Sequence, residues 1–297
     1  MSRTDDWDLY RAFHAVFRAR SLSGAARLLG STQPTVGRRI DALETAHGTT
    51  LFVRSRHGLA PTEAAQLLAP HAASMAAARA AIGRAISGAG AEEGGTVRVT
   101  ASNVIGAEIL PAVLAGFGAD NPGIAVELAL SNRNEDLGRR EADIAVRMIR
   151  PTQASYVAQK LGTVSLGLFA HRDYARRHGL PKTVADLAGH TLIGPDDDAL
   201  LGRLFRDHAP DMQRERLAFR TDSELAQHAL LRAGAGIGGM QVPLAARDPA
   251  LLPVLPDDFR PTMEMWLVMH GNLRLNRPVR RLYDHLAEAL RGYLRAE

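Results

Sequence analysis

Three short apolar repeats set close together at the N-terminus constrain this chain more than any other feature. Leu9, Phe13, Val16 and Phe17 recur at helical spacing, Ala25, Ala26 and Leu29 form a second set, and Val36, Ile40 and Leu43 fall at i, i+4 and i+7. The residues between the sets are helix punctuation. Asp5, Asp6 and Asp8 suit a helix N-terminus. Ser21 is placed to cap the second helix, and Gly30 with Ser31 supplies a tight turn. Thr32 is expected to cap the third helix, with Pro34 in the first turn, where a missing N–H costs nothing. The alanines of the second helix let its neighbours approach closely. The result is a helix-turn-helix.

The outer face of the third helix then carries chemistry. At about 100° per residue, Pro34, Arg38, Asp41 and Thr45 oppose the buried stripe, and Thr35 and Arg39 flank them. A helix that shows short polar groups and an arginine fits the major groove, its N-terminal residues reaching base edges. Gln33 can pair with adenine, and Arg38 with guanine or phosphate. Residues 51–59 read as a hairpin carrying Arg54, Arg56 and His57, a wing suited to the phosphate backbone. The candidate DNA contacts are Ser23, Thr32, Gln33, Pro34, Thr35, Arg38, Arg39, Arg54, Arg56 and His57.

Over about sixty residues the chain reads Ala25-Ala26, Leu29, Thr32-Gln33-Pro34-Thr35-Val36-Gly37, Ile40, Leu43-Glu44, Gly48, Leu51-Phe52-Val53-Arg54 and Thr62. This stretch resembles the LysR-type transcriptional regulators, which carry two alanines, a leucine, Ser-Gln-Pro-Ala-Val-Ser, an isoleucine, Leu-Glu, a glycine, Leu-Phe-x-Arg and a threonine in that order. Three positions depart from the pattern. Gly37 stands where the family has serine, so one carried-over phosphate contact is lost, and a glycine inside a helix costs about 1 kcal/mol against alanine. His47 replaces a leucine, and Ala65 replaces a glycine.

Residues 62–87 read as one alanine-rich helix, in which Leu68, Ala72, Met75, Arg79, Ile82 and Ile86 form a heptad seam. A stripe buried on the chain's own body has the same spacing. The resemblance implies a homodimer or homotetramer, with this helix packed on its twin through Leu68, Met75, Arg79, Ile82 and Ile86. Pro70 is expected to kink or restart the helix. Two modules on a pseudo-palindromic operator bind with far greater avidity than one. The glycine-rich run at 87–95 is the clearest boundary in the chain. The expected division is a winged helix-turn-helix at 1–61, a linker helix and hinge at 62–95, and an effector-binding domain at 96–297.

In that last region strands at 96–100, 124–130 and 143–147 alternate with helices at 105–117 and 134–140, which predicts a parallel, doubly wound α/β sheet. The alternation returns over 164–255, and a strand at 263–270 and a helix at 277–294 close the chain. The resemblance implies a two-lobed effector domain like a periplasmic binding protein, with lobe one at 96–162 and 265–297 and lobe two at 163–264. A small-molecule effector would sit between the lobes at strand C-termini. Candidates there are Thr100, Ser102, Asn103, Ser131, Arg147, Met148, Thr221, Asp222 and Gly238. Arg147 and the helix start at Ser102 favour an anion. The glycines at 234–239 match G-x-G-x-x-G, but they follow a helix where a dinucleotide site needs a strand, so they read as a helix cap and sharp turn.

The composition excludes other classes. With no cysteine there is no disulfide scaffold, thiolate metal site or cysteine nucleophile. The eleven histidines lack metal spacing, and the acids at 196–198 read as a solvated loop. No phosphate loop, H-E-x-x-H or G-x-S-x-G occurs, so no catalytic set, metal or cofactor is expected. No apolar run spans a bilayer and no export signal opens the chain, which places it in the cytoplasm. The net charge of +4 fits nucleic-acid contact. The expected function is sequence-specific transcriptional regulation, with double-stranded DNA, the chain itself, a small anionic effector and RNA polymerase as partners. The alternatives on this scaffold are a small-molecule-binding protein and a nucleoid-like DNA binder.

Overall fold

The computed structural model describes residues 6–55, 58–90, 94–132, 142–151, 156–197 and 214–296. They fall into two units that divide between Arg84 and Ala85.

The first unit holds α1 (Trp7–Ala19), α2 (Leu22–Leu29), α3 (Gln33–His47), a hairpin of β1 (Phe52–Ser55) and β2 (Gly58–Pro61), and the start of α4 (Glu63–Gly90). Asp6 caps α1 by accepting from the Asp8 amide, and the Ser21 hydroxyl caps α2 by accepting from the Gly24 amide. Thr32 stands at the N-cap of α3 but makes no side-chain cap bond: its hydroxyl pairs with that of Thr35 at 2.9 Å. All three helices end on a left-handed residue, at Arg20, Gly30 and Gly48. The predicted stripes meet in one core in which Phe13, Val16, Ala25, Val36 and Leu43 are fully buried.

The helix α4 runs unbroken through Pro70, against the expected restart. Proline removes one backbone bond and crowds the preceding turn, but the other bonds of so long a helix carry it across. The helix also extends to Gly90, into the run expected to be a glycine-rich hinge.

The second unit is a mixed α/β structure. Its elements are β3 (Gly95–Ala101), a π turn at Ile105–Ile109, α5 (Leu110–Asp120), β4 (Ile124–Leu130), β5 (Ile144–Arg147), β6 (Tyr156–His171), α6 (Arg172–His178), β7 (Ile193–Gly194), β8 (Phe219–Arg220), α7 (Glu224–Arg232), β9 (Ile237–Gln241), α8 (Val242–Ala245), β10 (Leu251–Val254), β11 (Thr262–His270) and α9 (Arg277–Leu294). The expected helix at 134–140 lies outside the described residues.

The parallel expectation holds for only part of the sheet. β3 pairs in parallel with β4 and β5, but β11 is antiparallel to β5 and to β6. The reason is the path of the chain, which leaves the first lobe along β6 and returns along β11. β6 is long enough to serve both lobes. Residues 156–165 pair with β11, and residues 166–171 pair with β9 and β10. Val279, Leu282, Leu286 and Leu290 line the buried stripe of α9, which covers the first-lobe sheet together with α5.

Candidate functional site: a recognition helix and an interlobe cavity

On α3 the apolar stripe faces the core, which leaves Thr32, Gln33, Pro34 and Arg38 exposed at its N-terminal end. Arg38 Nε donates to the Pro34 carbonyl at 3.4 Å, so the guanidinium lies along the first turns. Thr35 is half-buried. Arg39 is turned inward and paired to Asp8 of α1 at 2.9 Å, which gives it a structural partner that its spacing did not reveal. Ser23 and Arg54 are exposed, whereas Arg56 and His57, at the hairpin tip, lie outside the described residues.

Three residues of the motif hold this unit together in ways the sequence did not disclose. The Glu44 carboxylate accepts from the Leu51 and Phe52 amides at 2.6 and 3.2 Å, joining α3 to the wing. The Thr62 hydroxyl donates to the Thr50 carbonyl and accepts from the Ala65 amide, joining the wing to α4. His47 bonds the Tyr10 hydroxyl at 3.1 Å, a contact the family's leucine could not make. At Gly37 an added Cβ would meet only Leu22 Cδ1, at 3.8 Å. Gly37→Ala is therefore expected to stabilise the first unit by about 0.5–1 kcal/mol, read as a rise in its denaturation midpoint with an unchanged m value.

The expected dimer seam divides. Leu68 is partly buried and packs with Ala65 and Ala72 against the core of the first unit. A helix stripe serves its own core wherever that core is in reach. Further along, Met75, Arg79 and Ile82 are exposed, Ile82 by 55%. The side chain of Ile86 lies outside what the structure describes.

Between the lobes lies a cavity of about 290 Å³. The first lobe contributes Ser102, Val104, Asn132, Arg147, Met148 and Ile149. The second contributes Leu166, Ile193, Gly194, Pro195, Glu224, Gln227, His228, Gly239, Met240, Gln241 and Phe259, and Met263 lies at the start of β11. Arg147, at the end of β5, is buried, with Nη1 donating to the Val146 carbonyl and Nη2 to the Thr100 hydroxyl, both at 3.1 Å. The Ser102 hydroxyl is buried and has no hydrogen-bond partner among the described residues.

Two contacts tie the lobes at opposite ends of α7. Asn132 Nδ2 donates to both Glu224 oxygens, at 2.8 and 3.0 Å, while its Oδ1 accepts from the Asn103 amide. Arg232 grips Glu108 through both nitrogens at 2.8 and 3.1 Å. That hydrogen-bonded guanidinium holds the Glu108 carboxyl below its ordinary range. Between these ties His228 is buried, with Nδ1 4.0 Å from Glu108. Burial lowers its pKa to about 4, against the opposing pull of Glu108, so the ring is neutral at pH 7. Gln241 is oriented by the Tyr293 hydroxyl, which donates to Oε1 at 2.6 Å.

Of the predicted effector residues, Ser102, Arg147 and Met148 line the cavity, and Thr100 lies directly behind Arg147. The others do not line it. Asn103 serves Asn132 through its amide, and the Ser131 amide bonds the Ala101 carbonyl. The Thr221 carbonyl holds Gln227, and Asp222 is an exposed acceptor for the Asp196 and Asp197 amides. Gly238 faces Ile193. Strand ends mark where a cleft lies but not which side chains turn into it. The α7 face was missed entirely, because Glu224, Gln227 and His228 have the spacing of any polar helix face.

The glycine cluster has packing reasons. Gly234 takes a left-handed φ of +70° just after α7, and a Cβ on Gly236 would lie 2.5 Å from the Thr191 carbonyl oxygen. Gly238 and Gly239 belong to β9 and not to a turn.

Residues 7–66 match the model for the bacterial regulatory helix-turn-helix protein of the lysR family, and residues 90–291 match that for the LysR substrate binding domain. An HTH-type transcriptional regulator of Xanthomonas campestris pv. campestris (strain 8004) is 31% identical over 61% of this chain and 53% of its own length. BbuR, an HTH-type transcriptional regulator of Bordetella bronchiseptica, is 28% identical over 98% of this chain and 91% of its own. The solved full-length CbnR shares the fold at 20% identity, with a TM-score of 0.66 over 96% of this chain and 99% of that one. No helix among the described residues is long and apolar enough to cross a membrane. Members of the matched family are transcriptional regulators and not enzymes. The chain belongs to the LysR family: it is a LysR-type transcriptional regulator with a helix-turn-helix DNA-binding domain and an effector-binding domain.

Proposed function

We propose that two or four copies of this chain bind a partly palindromic operator in the cytoplasm through the exposed end of α3, and that a small anionic effector between the lobes biases their arrangement. The observation that carries the DNA reading is the exposure of Gln33, Pro34 and Arg38 on a helix whose opposite face is buried in the core. CbnR, which shares the fold, was solved with its target DNA. Self-association is supported by the exposed apolar side chains of Met75 and Ile82 on α4. The effector reading is supported by Arg147 and by the Ser102 hydroxyl at the cavity wall. An effector that bridges the lobes acts through its differential affinity for two arrangements. RNA polymerase is the further partner through which such a regulator acts, and no cofactor takes part in this scheme.

Arg38→Ala tests the recognition face. Operator fragments selected from genomic DNA at physiological salt are expected to bind the variant about 10–100-fold more weakly, with relaxed preference at one base position. Unchanged affinity and preference would remove Arg38 from the interface.

A further inference from the structure

The two walls of the interlobe cavity are chemically unequal. The first-lobe wall offers donors, the Arg147 guanidinium and the Ser102 hydroxyl. The polar side chains of the second-lobe wall are Glu224, Gln227 and His228 on one face of α7 and Gln241 at the end of β9, whose Oε1 is taken by Tyr293; of these Glu224, three residues from Gln227, is the charged one. Gln227 Nε2 is engaged by the Thr221 carbonyl at 2.6 Å, which leaves Oε1 as the end a ligand can use. Glu224 is half-buried, and its carboxylate is held only by the neutral amide of Asn132, with no cation in ion-pair range among the described residues. The cation nearest along the helix, Arg232, is committed to Glu108.

We propose that the effector is a small amino acid with an apolar side chain, its carboxylate met by Arg147 and Ser102 and its ammonium group met by Glu224 and Gln227 Oε1. This rests on the reading that the interlobe cavity is the effector site. An ammonium group gives Glu224 a cationic donor, where Asn132 supplies only a neutral one. A plain monocarboxylate brings Glu224 no cation, and a dicarboxylate sets like charges against each other. The rest of the wall, including Val104, Met148, Leu166, Met240 and Phe259, suits an apolar side chain. Because the two charged ends sit on different lobes, such a ligand also bridges them.

The test measures binding to the full chain by calorimetry and thermal shift. The probes are L-leucine and L-phenylalanine, beside 4-methylpentanoate and 3-phenylpropanoate, which lack the amine. An amino acid is expected to bind at least about 10-fold more tightly than its amine-free partner. Glu224→Gln, which keeps an acceptor for Asn132, should erase that preference without weakening the amine-free acids, and Glu224→Ala should do the same. Amine-free acids binding as tightly as the amino acids, or a preference that survives both Glu224 variants, would overturn the amino-acid assignment. The cavity reading would then stand if Gly239→Leu abolished that binding. No binding by any of the four probes overturns the assignment, and binding that persists in Gly239→Leu overturns the cavity reading with it.

Discussion

Leucine in place of Gly239 is expected to abolish effector binding while leaving the effector domain folded. Gly239 lies in β9, paired with Leu168, and its φ is not in the left-handed region. Gly239 itself lines the cavity, whereas a Cβ on Gly238 would meet Ile193. A Cβ on Gly239 meets no atom within 4 Å. The added side chain therefore enters space the effector needs and displaces no protein atom. Branched side chains suit strands better than glycine, so the ligand-free variant should melt no lower than the wild type. Any compound that raises the wild-type melting temperature in a metabolite screen should lose up to about 100-fold in affinity, since overpacking a filled site costs about 1–3 kcal/mol and occasionally more. Retained affinity would place the effector elsewhere.

The second large effect is a loss of stability on mild acidification, traced to His228. Its pKa is about 4 in the fold and 6.5 when free, because burial penalises the charged ring. Between those values the unfolded chain binds more protons than the folded one, so stability is complete above pH 6.5 and falls as pH drops toward 4. The depression corresponds to as much as about 3 kcal/mol. Glu108 acts in the same direction but lower. Its depressed carboxyl contributes stability above its free value of 4.5 and loses it as pH falls through the folded value. The windows separate the two groups. His228→Gln should flatten the decline between about pH 6.5 and 4.5, and Glu108→Gln should lower stability at neutral pH but change the pH slope only below that window. Chemical denaturation of the full chain across this range is the measurement, and equal slopes for wild type and His228→Gln would remove the histidine as the cause.

The first unit was legible because its signals are local. Ser21 caps the helix that it precedes, and Val36, Ile40 and Leu43 are inward because their period leaves no other face. Thr32 shows the limit, since a capping residue type stood at the cap yet gave its hydroxyl to Thr35. Arg39 shows it too, for its partner Asp8 is 31 residues away. In the effector domain Arg147 and Ser102 could be found because strand ends and helix starts are local features. Glu224, Gln227 and His228 could not be, because what makes them a wall is the first lobe opposite them.

The sequence by itself determined the family, the order of elements, the helix-turn-helix core and the absence of cysteine chemistry, all of which follow from short-range period and residue type. Only the tertiary structure decided that β6 serves both lobes, that Leu68 packs against the core of the first unit, and that the Glu224 carboxylate and the Arg147 guanidinium line one cavity. Those facts depend on which distant segments meet, and a one-dimensional pattern carries no record of that.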